Sequence, residues 1–360
     1  MTEIFQDLIY DWIGLSPRRA LMALRLRRAF DAAVQQRRKV SAAFGVPVPP
    51  IAMISLTTRC NLSCAYCYAA NHPPTGDMPP ERLERILCEA KKLGCFFFLL
   101  SGGEPLLYPD LLETISRHPD ALFLAFTNGT PITPSLAGQV ALRANLIPLL
   151  SLDGGREETD AQRGDGVYDR VREAFTHLKA MDAFYGFSAT VTARSLASLE
   201  RLEFLETRER DGCRLGFYVE YIPVGRSPDV SLCLTPAQRA AFCRRFLELR
   251  DQKRMFLVQF PGDEEERGGC VAAGLGLIHI NAQGFVEPCP AIHLAADNVA
   301  EKSLLECLRS PFMRCMREGA VNQRPTTHAC ALGGQDEAMA QARLCSRPTD
   351  GHPHLERAAL

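Results

Sequence analysis

At 360 residues the chain exceeds the usual single domain, yet an α/β barrel of about 200 to 250 residues can be one domain by itself, so a barrel plus something smaller is expected. Hydrophobic residues at 46% and charged residues at 23% are ordinary globular values, and a formal net charge of -1 gives no basic excess of the kind that would attract nucleic acid. The 14 cysteines are many for this size; no secretory signal is visible where Glu3 and Asp7 interrupt the N-terminus, so reduced, metal-binding thiols in a cytoplasmic protein are expected rather than disulfides.

In chain order, residues 18–39 set Arg18, Arg19, Arg25, Arg27, Arg28, Arg37, Arg38 and Lys39 against a single acid, Asp31, interleaved with Leu21, Met22, Leu24, Leu26 and Phe30. Such a basic amphipathic helix covers the open end of a barrel, packs on its flank, or makes peripheral contact with an anionic membrane. No run of about 18 apolar residues occurs that would cross one. Val46-Pro47-Val48-Pro49-Pro50 follows as a stiff spacer.

Beyond it, strand-like apolar runs at 51–57, 95–101, 121–127, 146–152, 186–192 and 215–223 alternate with helix-like stretches that start near Pro80, Asp110, Thr133, Val167, Ser198 and Thr235. Alternation of this kind predicts βαβ units and a parallel sheet. A further apolar run at 255–260 leads to the acidic turn 263–266 and Cys270. The stretch 278–289 reads as a hairpin with Gln283-Gly284 in the turn, then helices over 303–318 and 335–344, and a frayed tail holding Pro348 and Pro353. The expected division is 1–48, a basic helical region; 49–260, a barrel; 261–347, a small cysteine-containing domain; and 348–360, a tail.

The chemistry begins in Arg59-Cys60-Asn61-Leu62-Ser63-Cys64-Ala65-Tyr66-Cys67-Tyr68. Three thiolates can hold three corners of a four-iron cluster, leaving one iron open to a small molecule that can be bound there and given an electron. The competing readings are a zinc site completed by His72, or three buried thiols; structural zinc takes four ligands from paired knuckles, and His72 follows loosely.

The CxxxCxxC spacing, with an aromatic just before the last cysteine, resembles the signature of the radical S-adenosylmethionine (SAM) enzymes. Gly102-Gly103-Glu104-Pro105, after the next strand, is similar to the family's motif for the SAM amino group. The resemblance implies an α/β fold, a partial (β/α)6 barrel open on one side, with a small C-terminal α+β cluster domain. It implies that Cys60, Cys64 and Cys67 hold a 4Fe-4S cluster, that Gly102, Gly103 and Glu104 meet the SAM amino group, that Ser151 and Asp153 face the ribose or substrate, and that Tyr66 lies near the adenine. Reductive cleavage of SAM to methionine and a hydrogen-abstracting 5'-deoxyadenosyl radical is the implied activity. In barrel enzymes chemistry sits at C-terminal strand ends, where these motifs and Thr127-Asn128-Gly129 fall, although Asn-Gly is also a common turn.

Ser151-Leu152-Asp153-Gly154 followed by Thr159-Asp160 and Arg163-Gly164 resembles the region in radical SAM maturases of peptides and proteins, with Thr159 in place of their histidine. Without that resemblance, Asp160 and Arg163 read as a solvated i, i+3 pair. Cys270, then Gly284 five residues before Cys289, resembles the start of the SPASM extension or its shorter relative, twitch. A second cluster is therefore expected on Cys270, Cys289, Cys330 and, as fourth ligand, Cys345; if Cys345 is unused, the open iron takes substrate or water. Cys307 and Cys315, in an amphipathic helix pattern, read as buried thiols, Cys88, Cys95, Cys213, Cys233 and Cys243 as core or surface thiols, and His279 and His293 as satisfied structural histidines rather than ligands.

The expected function is modification of a peptide or protein side chain, with a flavodoxin or ferredoxin as electron donor. Dehydrogenation or other modification of a small alcohol, aminocyclitol or lipid is the rival, and an iron-sulfur scaffold or electron carrier the non-enzymatic alternative. The roughly 45 residues before the prolines fall short of the 50 or so that a separate leader-peptide domain would need, which favours the rival.

Overall fold

The structure is a computed structural model that describes residues 17–70, 72–252, 254–262, 270–320, 330 and 346–349. Seven parallel strands follow the expected runs: β1 Ile51–Thr57, β2 Phe97–Gly102, β3 Leu122–Thr127, β4 Leu146–Ser151, β5 Gly186–Val191, β6 Leu215–Glu220 and β7 Phe256–Phe260. They pair in sequence order, and a hairpin, β8 Leu277–Ile280 and β9 Val286–Glu287, extends the same sheet by laying β8 parallel to β1. The strand order is β7-β6-β5-β4-β3-β2-β1-β8-β9, an α/β sheet with β7 and β9 at its edges among the described residues.

Two details depart from the expected organisation. The run at 255–260 is a seventh strand of the barrel sheet, and the cysteine hairpin belongs to that sheet rather than to a separate one. Every residue of β4 is buried, as in a parallel sheet covered on both faces. Side chains alternate across each strand. Ala52, Ile54 and Leu56 of β1 join the core beneath the helices, whereas Leu122 and Leu124 of β3, Ile147 and Leu149 of β4 and Leu215 of β6 form a second core on the inner face.

The N-terminal helix, Pro17–Phe44, closes that inner core. Ala23, Leu26 and Phe30, one helical stripe, are buried among the inner strand residues, and the Phe30 ring meets those of Phe96 and Phe97 edge-on at 5.4 and 6.0 Å. Its other end is tied down by Gln36 Nε2 donating to Lys92 O and Arg37 Nη1 to Gly94 O, both 2.9 Å. The helix therefore covers the barrel, with Leu21 and Leu24 left exposed. Among the described residues no helix is long and apolar enough to cross a membrane. Truncating Phe30 to alanine is expected to cost about 3–5 kcal/mol, the range for a large aromatic lost from a packed core, read as a lower midpoint in denaturant unfolding.

Other boundaries shift for local reasons. The helix expected over 303–318 is two, Leu304–Arg309 and Pro311–Ala320, because Pro311 pushes Ser310 into extended backbone at ψ 153°. A helix not anticipated, Arg156–Arg163, precedes Val167–Ala180; Gly164 and Gly166, with φ of +105° and +74°, separate them. The expected tail starts later than Pro348: β11, Arg347–Pro348, pairs antiparallel with β10, Leu294–Ala295, and Thr349 is buried. The helix expected over 335–344 and Cys345 lie outside the described residues.

Candidate active site

Cys60, Cys64 and Cys67 sit on the loop leaving the C-terminal end of β1, and the loops after the following strands hold it in turn. Arg59 pairs bidentately with Asp77, at 2.9 and 2.8 Å, and reaches Leu107 O at 2.8 Å. From the β2 end, Gly103 N donates to Thr57 O at 2.7 Å and Glu104 N to Arg59 O at 2.8 Å. From the β3 end, Asn128 Nδ2 donates to Asn61 Oδ1 at 2.9 Å and lies 3.9 Å from Cys60 Sγ. The helix after β4 gives Gln162 O to Ala65 N at 2.9 Å.

The loop after β6 holds the far side. Arg226 N donates to Cys67 O at 3.0 Å and its guanidinium to Ser63 Oγ at 2.5 Å. Gly225 (φ +84°) packs so closely that a Cβ would stand 2.3 Å from Cys67 O. Replacing Arg226 by alanine removes a contact worth about 0.5–1.5 kcal/mol, so up to about tenfold faster iron loss from the first cluster to a chelator is expected under anaerobic conditions.

The glycines of the second motif have a reason beyond ligand approach. A Cβ on Gly102 (φ +115°) would lie 2.4 Å from Thr57 O, and one on Gly103 only 2.0 Å from Arg59 O. They are small because the cysteine loop's backbone runs against them. Glu104, 1% exposed, turns inward: Oε1 accepts from Leu106 N at 3.0 Å and Thr127 Oγ1 at 2.7 Å, and Oε2 from Asn128 N at 2.7 Å. Burial pushes its carboxyl above the usual range, while these three donors pull the other way. Three of about four acceptor positions are filled, leaving one for an ammonium group. Thr127-Asn128-Gly129 is thus more than a turn, since Glu104 binds it to the cysteine loop.

Ser151 lies 3.2 Å from Ser188, oxygen to oxygen, on the inner face of the sheet. Asp153, expected to face ribose or substrate, is turned to Arg163, whose Nε and Nη2 donate to it at 2.7 and 3.2 Å; Thr190 N adds a third bond at 3.0 Å. At 3% exposure a carboxylate needs such a partner. Arg163 is therefore no solvated partner of Asp160, whose Oδ1 accepts from Tyr168 N at 2.8 Å. Burial alone would lower the guanidinium's pKa, but Asp153 and the thiols of Cys64 and Cys67 hold it above its ordinary value. A cation thus stands against the cysteine loop. Thr159, in the histidine's place, is fully buried and accepts from Asp153 N at 3.2 Å. Tyr66 packs edge-on to Tyr221 with centroids 5.7 Å apart.

Burial raises the Cys60 and Cys64 thiols above their usual range, Arg163 opposes the shift at Cys64, and the charge of Cys67 reinforces it at both. Among the described residues no group of three or more His, Cys, Asp or Glu is gathered as for a single ion. Three thiols on one loop, two of them half-buried, with the Arg163 cation beside them, are a donor set suited to three corners of a four-iron cluster. His72 points elsewhere, with Nδ1 3.2 Å from Thr349 O and its ring 4.5 Å from that of His293.

A second group forms at the hairpin. Burial lifts the Cys289 thiol well above its usual value, with the charges of Cys330 and Cys270 adding to it; Cys289 lies in the large core, and Cys270 and Cys330 pack against that same core. Cys307 is buried, as read from the helix pattern, whereas Cys315, read the same way, is only half-buried. No disulfide occurs among the described residues.

The Radical SAM superfamily pattern matches residues 54–191, which span β1 to β5 and both motifs. The chain is 30% identical to mycofactocin maturase MftC of Mycobacterium ulcerans over 85% of its own length and 87% of that protein's. It is 27% identical to the AdoMet-dependent heme synthase of Methanosarcina barkeri, over 72% of this chain and 81% of that one. Among solved structures it resembles SuiB of Streptococcus suis bound to its precursor peptide SuiA, with TM-score 0.64, 18% identity, and coverage of 77% and 68%. The chain belongs to the radical SAM superfamily. It is an enzyme of that family, with a 4Fe-4S cluster and SAM as cofactors.

Proposed function

We propose that the enzyme oxidises or cross-links a side chain of a peptide or protein, using Cys60, Cys64 and Cys67 for the SAM-binding cluster and Cys270, Cys289 and Cys330 for a second. The observation that carries this reading is that Cys289 stands two residues past β9, in a hairpin hydrogen-bonded to β1, the strand from which the catalytic loop departs, while Cys270 and Cys330 pack against the same core. A substrate radical that ends as a closed-shell product must lose an electron, and a second cluster there can accept it. The likeness to a maturase over most of both chains, and the fold shared with a protein solved with its precursor peptide, support the peptide class.

When bound, the first cluster and SAM supply the hydrogen-abstracting radical. In this reading Gly102, Gly103 and Glu104 receive the SAM amino group, Ser151 the ribose and Tyr66 the adenine, with Asp153 holding Arg163 beside them. A flavodoxin or ferredoxin supplies the reducing electron. The likeness to a heme synthase favours a second reading, a tetrapyrrole side chain as substrate.

The expected result is about eight irons per reconstituted chain and substrate-dependent 5'-deoxyadenosine. Short peptides encoded beside the gene should change mass in the assay. Turnover of an iron-free or metal-bound tetrapyrrole, and of no peptide, would replace the first reading by the second.

A further inference from the structure

Three buried side chains unused so far join the inner face of the barrel to the second cysteine group. On β8, Ile278 and Ile280 pack in the core beneath the helices, so His279 between them points to the inner face, where β8 runs beside β1. Its Nδ1 lies 2.6 Å from Glu287 Oε2, and its Nε2 lies 2.8 Å from Ser55 Oγ. A carboxylate only accepts, so Nδ1 carries the proton and Nε2 accepts from the Ser55 hydroxyl. Glu287 is fully buried and is further held by Asn281 Nδ2, at 3.0 Å, and by the Thr349 hydroxyl. This is more orientation than a strand-pairing histidine needs.

Both ends of the chain of bonds are placed for chemistry. Ser55 pairs in register with Ser101, one residue before Gly102, and borders a cavity of about 10 Å³, room for one water, together with His72, Gly102 and Asn281. Nε2 of His72 is buried there without a hydrogen-bond partner among the described residues. At the other end Glu287 stands two residues before Cys289 and acts on its thiol electrostatically.

We propose that His279 is the proton acceptor that works with the second cluster, taking through Ser55 the proton that a substrate loses on oxidation. The proposal rests on the second-cluster reading above. Hydrogen abstraction leaves a carbon radical beside an X–H bond. Its conversion to C=X breaks that bond, sends one electron to the oxidised 4Fe-4S cluster on Cys270, Cys289 and Cys330, and releases one proton. Ser55 Oγ accepts that proton as it gives its own to His279 Nε2. Glu287 remains a carboxylate and steadies the imidazolium, so the inner face is not left with an uncompensated charge. The other titratable groups along this chain of bonds are His72, which acts on His279 directly, His293, which acts with both on Glu287, and Tyr68 beside Ser55.

The test needs no substrate. Full-length protein with Cys60, Cys64 and Cys67 all replaced by alanine, reconstituted anaerobically, is titrated for the potential of its remaining cluster from pH 6 to 9. If His279 gains a proton as the cluster gains an electron, each tenfold change in proton concentration shifts the potential by about 59 mV. His279→Asn, which keeps an amide donor for Glu287, should flatten that slope, and His72→Gln should leave it. A flat potential in the His279-containing protein overturns the relay alone, without need of the variant. A slope that survives His279→Asn overturns it too. Absence of iron overturns the relay together with the second-cluster reading.

Discussion

Replacing Cys60, Cys64 and Cys67 together by alanine is expected to abolish 5'-deoxyadenosine formation while leaving about four of eight irons bound. Both halves of that result follow from the architecture. The triad is carried by a surface loop held by backbone bonds, Thr57 O to Gly103 N and Arg59 O to Glu104 N, and by the side chains of Arg59, Asn61 and Ser63, none of which passes through a cysteine side chain. Removing the thiols therefore removes the metal ligands without removing the loop's hold. Cys289, by contrast, is 8% exposed and packs in the large core with Val286 and Ile292, so the second group has its own foundation. The measurement is iron per chain, with EPR of the reduced protein and chromatography of the nucleoside. Loss of all iron would mean that the hairpin site cannot assemble alone. Retained SAM cleavage would mean that the wrong cysteines have been assigned.

The elements that position this chemistry were legible because their signals are local. Strand runs rich in Leu, Phe and Ile are bounded by turn residues, and the end of each strand is where the motif residues fall. The three thiols and the two glycines announce themselves by spacing. What stayed illegible depends on partners distant in sequence. Arg163 reads as a helix-surface cation until the fold brings Asp153, ten residues earlier, and the cysteine loop against it. Arg226 and Gly225 carry no pattern at all, because their contacts lie more than 150 residues back, at Ser63 and Cys67. A polar residue at an inward position of a buried strand was the one available signal for His279, and Glu287 in the partner strand of the hairpin completes it.

The N-terminal helix shows a different limit. Its arginines dominate the sequence pattern and suggest an acidic surface, yet the energetically decisive positions are Ala23, Leu26 and Phe30, three small or apolar residues on one stripe. Charge says what the outer face can meet. The buried stripe says what the helix is attached to, and here that is the inside of the sheet.

Gly103→Ala is expected to empty the first cluster nearly as completely as loss of the cysteines. Torsion is not the cause, since Gly103 does not lie in the left-handed region. The obstacle is contact: a methyl group at this position would meet Arg59 O at 2.0 Å, Arg59 C at 2.5 Å and Cys60 N at 3.1 Å. The first of these falls about 1.5 Å short of ordinary non-bonded separation. No flexible side chain can yield, because all three atoms are backbone, so the strands' loops must part and the bonds from Gly103 N and Glu104 N stretch with them. Overpacking of this kind costs about 1–3 kcal/mol or more, and the displaced segment includes the first ligand of the triad. Iron should fall from about eight toward four per chain, with 5'-deoxyadenosine formation falling in step and far-UV circular dichroism unchanged. Gly138→Ala is the control: it lies in the helix Pro134–Ala141 with only Met181 Sδ nearby, at 3.8 Å, so it should keep all its iron and gain about 0.5–1 kcal/mol of stability. A Gly103→Ala protein with full iron and full turnover would show that the cysteine loop keeps its geometry without the close approach of β2's end.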